Sequence, residues 1–106
     1  LLYLALSKRR EYLAKITVNG RKINKVIIDP HYQLKHSGVI TDKLILELVK
    51  LLDKGTFPIE GVDGQFEYYV ADMLKLKSKK YKLVWLLEKN KMYIGVVNAY
   101  RRSVKK

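Results

Sequence analysis

Only one long run of this chain has apolar residues at helical spacing: Thr41-Asp42-Lys43-Leu44-Ile45-Leu46-Glu47-Leu48-Val49-Lys50-Leu51-Leu52-Asp53-Lys54-Gly55. Leu44, Ile45, Leu48, Val49, Leu51 and Leu52 make a broad apolar stripe that must be buried against another surface. Thr41 is the expected N-cap, Asp42 lies in the first turn where the helix dipole favours a negative charge, and Gly55 is the expected stop. The other periodic segments alternate. Tyr12, Ala14, Ile16 and Val18 interleave with Leu13, Lys15 and Thr17, and Asn19-Gly20 supplies two residues that accept positive φ, as a two-residue hairpin turn requires. The return strand runs from Arg21 to Ile28 and ends at Asp29-Pro30, because proline has no N–H for a ladder. Further strand patterns occupy about 65–75, 80–88 and 92–100, separated by the polar turns Ser78-Lys79 and Lys89-Asn90-Lys91. Short polar turns join antiparallel neighbours. The expected fold class is therefore α+β: an antiparallel β-sheet, made of an N-terminal hairpin and a C-terminal three-stranded meander, with one main helix packed on one face. Residues 1–10 read as a short helix, with a strand as the alternative, and 56–64 as a loop pinned to the core by Phe57 and Ile59. With 106 residues and no internal repeat or linker, the chain reads as a single domain, 1–106.

Charge narrows the partners. Lys and Arg total 22 against 10 acidic residues, a formal net charge of +12. Such an imbalance speaks to partners and solubility, not to fold. Nucleic acid is the first expectation, then an acidic protein, then an anionic membrane surface; a merely solvated basic face is the bland alternative. No cysteine is present, which excludes disulfides, thiolate catalysis and Cys-ligated zinc. No apolar run reaches the ~18–20 residues of a membrane span. The apolar start, Leu1 to Leu6, precedes its basic residues, the reverse of a secretory leader, so a cytoplasmic location is the expectation. A chain that does not start at Met can also be a fragment of a longer product.

The stretch richest in chemistry is Asp29-Pro30-His31-Tyr32-Gln33-Leu34-Lys35-His36-Ser37-Gly38, between the return strand and the helix. It holds both histidines, with a tyrosine and a lysine between them. Histidine is the natural acid or base near neutral pH. Two imidazoles and an ammonium in so basic a chain suggest chemistry on a phosphate backbone. The structural readings are equally concrete: His31 donating to a carbonyl at a strand end, Tyr32 closing over the core, Arg101-Arg102 as a solvated tail. Asp29, His31 and His36 offer imidazole and carboxylate to a metal, but no third histidine or cysteine completes a closed site, so no metal or cofactor is expected. Gly61-Val62-Asp63-Gly64 lacks the lysine and helix start of a phosphate-binding loop, and there is no nucleophile elbow.

Three segments carry a resemblance to a known family. Gln65-Phe66-Glu67-Tyr68-Tyr69-Val70-Ala71-Asp72, Lys80-Tyr81-Lys82-Leu83-Val84-Trp85 and Met92-Tyr93-Ile94-Gly95-Val96-Val97-Asn98-Ala99-Tyr100-Arg101-Arg102 together resemble the RelE-like toxins. The likeness covers roughly 41–102 and is one of element pattern. The wider superfamily includes barnase, EndoU and colicin-type nucleases, and the paired histidines look more like the EndoU and colicin-like branches. The resemblance implies a metal-independent RNA endonuclease, toxin-like, with an acidic antitoxin or immunity protein as a further partner and no membrane. Cleavage by the RNA's own 2′-hydroxyl needs a base, an acid and cations around the phosphorus. The candidates are His31 and His36 as base and acid in either order, Lys35 with Arg101 and Arg102 on the phosphate, and Tyr100 or Tyr32 to stack on a base or donate a proton. These groups are expected together on one face of the sheet. The alternative is a non-catalytic basic nucleic-acid-binding module that uses lysines for phosphates and tyrosines for stacking. A third is an adaptor for an acidic protein.

Overall fold

The computed structural model describes residues 9–28 and 40–102. Strands β1 (Arg10–Val18) and β2 (Arg21–Ile28) form a hairpin across Asn19 and Gly20, whose φ angles are 53° and 75°. Helix α1 (Asp42–Lys50) follows, then β3 (Gly61–Asp63), β4 (Phe66–Leu76), β5 (Lys79–Glu88) and β6 (Tyr93–Arg102). All six strands join one open sheet in the order β1-β2-β6-β5-β4-β3.

The class is α+β, but the sheet is mixed rather than antiparallel. The hairpin meets the meander through β2 and β6, which run parallel with Lys25 opposite Tyr93 and Ile28 opposite Val96. A turn of two or three residues forces its strands antiparallel, whereas the long path from β2 to β6 leaves their relative direction free. Three local expectations also change. Residues 61–63 form an edge strand on β4 instead of continuing the loop. Phe57 packs edge-on against Trp85 at 5.0 Å, but Ile59 stays 51% exposed. Leu51 is 43% exposed although its backbone is still helical, because it lies at the edge of the apolar stripe, about 100° around the helix axis from buried Leu52.

The core lies between α1 and one face of the sheet. Alternation places Ile16 and Val18, Ile23, Val26 and Ile28, Tyr69, Leu83, Trp85 and Leu87, and Ile94 and Val96 on that face, where they meet Ile45, Leu48, Val49 and Leu52. Tyr69 stacks on Trp85 with ring centroids 5.4 Å apart. Thr41 Oγ1 accepts the Leu44 N–H at 3.2 Å, as its N-cap position predicts. At the other end the left-handed residue is Lys54, with φ 66°, and not Gly55. Gly55 is needed for space: a Cβ there would stand 2.8 Å from Phe57 Cε1. The exit turn then docks on the outer edge of β1, Lys54 N–H donating to the Thr17 carbonyl at 2.6 Å and Asn19 N–H to that of Gly55 at 2.9 Å. Part of an otherwise open sheet edge is thereby covered.

The helix start is tied to the same strand. Arg10 grips Asp42 with two hydrogen bonds, Nε to Oδ2 at 2.6 Å and Nη2 to Oδ1 at 3.0 Å, and the Tyr12 hydroxyl donates to Oδ2. Burial of Asp42 works against its ionisation, but the bonds from Arg10 and Tyr12 prevail and hold its carboxyl below the ordinary carboxylate range.

Candidate nucleic-acid interface

The face of the sheet away from α1 holds the groups of interest. Residues directly opposite in neighbouring strands point to the same face, so the register defines rungs across the sheet. Lys75 of β4 is opposite Lys80 of β5, and Lys80 is opposite Arg102 of β6. This places three cations on three adjacent strands, about 5 Å from neighbour to neighbour. The next rung toward the middle pairs Lys82 with Tyr100, and Lys82 Nζ stands 5.9 Å from the Tyr100 ring centroid, within cation–π range. The Tyr100 hydroxyl accepts the Asn98 side-chain N–H at 3.0 Å.

The local sequence explains the arrangement. In Lys79-Lys80-Tyr81-Lys82-Leu83-Val84-Trp85, the residues Tyr81, Leu83 and Trp85 face the core, which turns Lys80 and Lys82 to the open side. Both lysines are half-buried, a common state for long side chains, whose stems can cover apolar surface while the charge stays in water. Within 72–82 and 98–102 the cations are Lys75, Lys77, Lys79, Lys80, Lys82, Arg101 and Arg102, against the single acid Asp72. Asp72 meets Arg102 at 3.1 Å, with the two side chains 41% and 47% exposed, so water and salt screen this bridge.

Of the sequence-derived candidates, Tyr100, Arg101 and Arg102 lie at the end of β6, all exposed. They do not share a face. Arg102 and Tyr100 stand on the open side with Lys80 and Lys82, whereas Arg101 is opposite Tyr81 on the core side. The expectation that Arg101 and Arg102 lie on one face is corrected by the two-residue period of a strand. His31, Tyr32, Lys35 and His36 lie outside the described residues. The two ends of their segment are well placed nonetheless. Ile28 is opposite Arg10, whose guanidinium holds Asp42, so the chain leaves and re-enters at one end of the sheet. Because β2 and β6 run parallel, that is the end toward which β6 carries Tyr100 and Arg102.

Sequence reasoning overlooked Lys75, Lys80 and Lys82. The alternation of Lys80 and Lys82 with Tyr81 and Leu83 was a signal for two of them; Lys75 needed the register. A second polar group stands at the opposite end of the sheet. Buried Glu67 accepts from the Tyr69 hydroxyl at 2.9 Å and from Arg21 Nη2 at 2.6 Å. The Tyr69 bond and, against the cost of burial, Arg21 hold its carboxyl below the ordinary range. About 27 Å of strand separates Glu67 from Lys75, so this cluster does not join the cationic rungs.

Among the described residues no group of His, Cys, Asp and Glu could hold a metal ion, and no helix is long and apolar enough to cross a membrane. Comparison with known protein families, with curated proteins and with solved structures finds no match to this chain.

Proposed function

We propose that this protein binds RNA, with the phosphate backbone running along the cationic end of the open sheet face. The observation that carries this reading is the rung Lys75–Lys80–Arg102. Like charges directly opposite on adjacent strands destabilise a sheet. Here three stand side by side with one screened carboxylate nearby, and a polyanion relieves that repulsion. Lys82 over Tyr100 extends the track by one rung. Binding is to be followed by fluorescence anisotropy of a labelled RNA oligomer across a salt series. Each phosphate contact contributes about 0.7 to the slope of log affinity against log salt for a single strand. Lys80→Gln and Lys82→Gln together should lower that slope by about 1.4 and weaken binding to all sequences alike. An unchanged slope would refute the assignment.

Cleavage is the second reading, and one observation favours it. Ile28 and Asp42, which flank the segment with His31 and His36, both meet Arg10, and Tyr100 lies about 13 Å along the sheet from Val96, the partner of Ile28. Eleven residues between two fixed ends can span at most about 15–20 Å outward from those ends, whatever conformation they take. The proposed reaction is metal-independent attack of the 2′-hydroxyl, with the histidines as base and acid. Labelled RNA incubated in EDTA should yield 2′,3′-cyclic phosphate ends. His31→Ala and His36→Ala should each abolish them while the salt slope of binding is retained. Cleavage that survives in both variants, or that needs a divalent ion, would refute this mechanism.

A further inference from the structure

Between the cationic end and the Glu67 end, the open sheet face changes character. One rung runs across four strands as Tyr68, Leu86, Gly95 and Ile27. At its centre Gly95 has no side chain, and a Cβ there would stand 2.8 Å from Leu86 Cδ1 and 3.6 Å from Tyr93 Cε1. Leu86 lies over the glycine, and around this rung the face holds a trough of about 430 Å³ lined by Phe66, Tyr68, Leu86, Tyr93 and Arg9. That volume is within the range of small-molecule sites. Tyr93 is held in place: its hydroxyl donates to Glu88 Oε1 at 2.6 Å, and burial together with that bond pushes its phenol up to about 12. A ring so fixed loses little freedom when another ring stacks on it.

The geometry points to the trough as a seat for unpaired nucleobases, so that the RNA recognised is single-stranded. This rests on the RNA-binding reading and specifies its substrate class. The occupant follows from charge as well as shape. The trough and the cationic rungs share one face of β4, β5 and β6, with Leu86 four residues from Lys82 on the same strand, about 13 Å. An apolar protein segment would fill the trough but bring no counter-charge to Lys75, Lys80 and Lys82, whose row holds the one carboxylate of Asp72 at Arg102. A single strand answers both features, its bases on the aromatic walls and its phosphates on the rungs. A duplex offers the phosphates but keeps its bases stacked and paired.

The test uses the full chain and three probes of equal length: a labelled oligouridylate, an abasic phosphodiester strand, and an RNA duplex. Base–aromatic stacking contributes enough per base that the oligouridylate should bind about tenfold or more tighter than the abasic strand. Tyr68→Leu should erase that ratio, and Lys82→Gln should weaken both strands and leave the ratio standing. Equal affinity of the wild-type protein for the two strands, with a normal salt slope, would overturn the trough assignment and leave phosphate binding intact. Tighter binding of the duplex than of the oligouridylate would overturn it as well. Binding of none of the three would overturn the RNA-binding reading itself. Because the comparison of strands is made on the wild-type protein, a variant that fails to fold does not rescue the proposal.

Discussion

Removing the Asp42 carboxylate by Asp42→Asn should have one of the largest effects on stability available at a polar position of this chain. Asp42 receives both prongs of the Arg10 guanidinium and the Tyr12 hydroxyl, across 30 and 32 residues of sequence. Breaking one member of a fully buried pair costs about 3–5 kcal/mol, mainly because the partner is left charged and unpaired. Arg10 and Asp42 each keep 23% of their side-chain surface exposed, so part of that cost is screened, and about 2 kcal/mol is the expected loss. For a chain of this length that is roughly a 10 °C fall in midpoint. The pH dependence identifies the cause. The Asp42 carboxyl titrates below its ordinary value, so its contribution is whole above about pH 4 and is lost as pH falls through the depressed folded value. Urea unfolding of wild type and variant from pH 7 to pH 3 should therefore show two curves that converge at the acid end. A double-mutant cycle with Arg10→Ala should return a coupling of about 1–2 kcal/mol at pH 7. A cost under about 0.5 kcal/mol at pH 7, or one that stays constant to pH 3, would refute the reasoning.

Two further outcomes follow from the packing. Gly55→Ala should cost about 1–3 kcal/mol, since its Cβ meets the Phe57 ring at 2.8 Å and the Leu52 carbonyl oxygen at 3.1 Å, and neither can yield. The ring is wedged against Trp85, and the carbonyl already accepts the Gly55 N–H; an unchanged melting midpoint would contradict this. Tyr93 should be the last of the perturbed phenols to ionise in a pH titration followed by ring-labelled NMR, near 12. Its neutral form stabilises the fold below about pH 10, and that share is lost as pH rises from there toward 12, whereas Glu88→Gln should bring the midpoint down.

Local signals in the sequence translate directly into structure. Asn19-Gly20 turns the hairpin with both φ angles positive, Thr41 caps the helix, and the alternation from Tyr81 to Leu87 buries Tyr81, Leu83, Trp85 and Leu87. Each depends on residues a few positions apart. The features that were not legible depend on register or on distant contacts. Gly55 is required by a ring that comes from the far side of the same turn, and Ile59 is apolar yet stays in solvent because the chain is already turning into β3. The cationic rung is the clearest instance. Lys75, Lys80 and Arg102 come from three strands, and only the pairing of β4, β5 and β6 aligns them.

The parallel junction of β2 and β6 governs what the site can become. Had β6 run antiparallel to β2, its basic end would have lain beside the Asn19-Gly20 turn, at the far end of the sheet from Ile28 and Arg10. Parallel pairing over Lys25–Ile28 and Tyr93–Val96 instead directs the end of β2 and the end of β6 the same way. The Arg10–Asp42 clamp then brings the start of α1 to that end, because Arg10 is itself opposite Ile28. The cations on β4, β5 and β6 need none of this, since the meander alone aligns them. The proposed phosphate binding would thus be a property of the meander, whereas a reaction using His31 and His36 would require the junction and the clamp together. Asp42→Asn separates the two: the salt slope of RNA binding should survive it, and cleavage should fall. A variant that stays folded, keeps its salt slope and cleaves at the wild-type rate would mean that the clamp has no part in positioning the histidine segment.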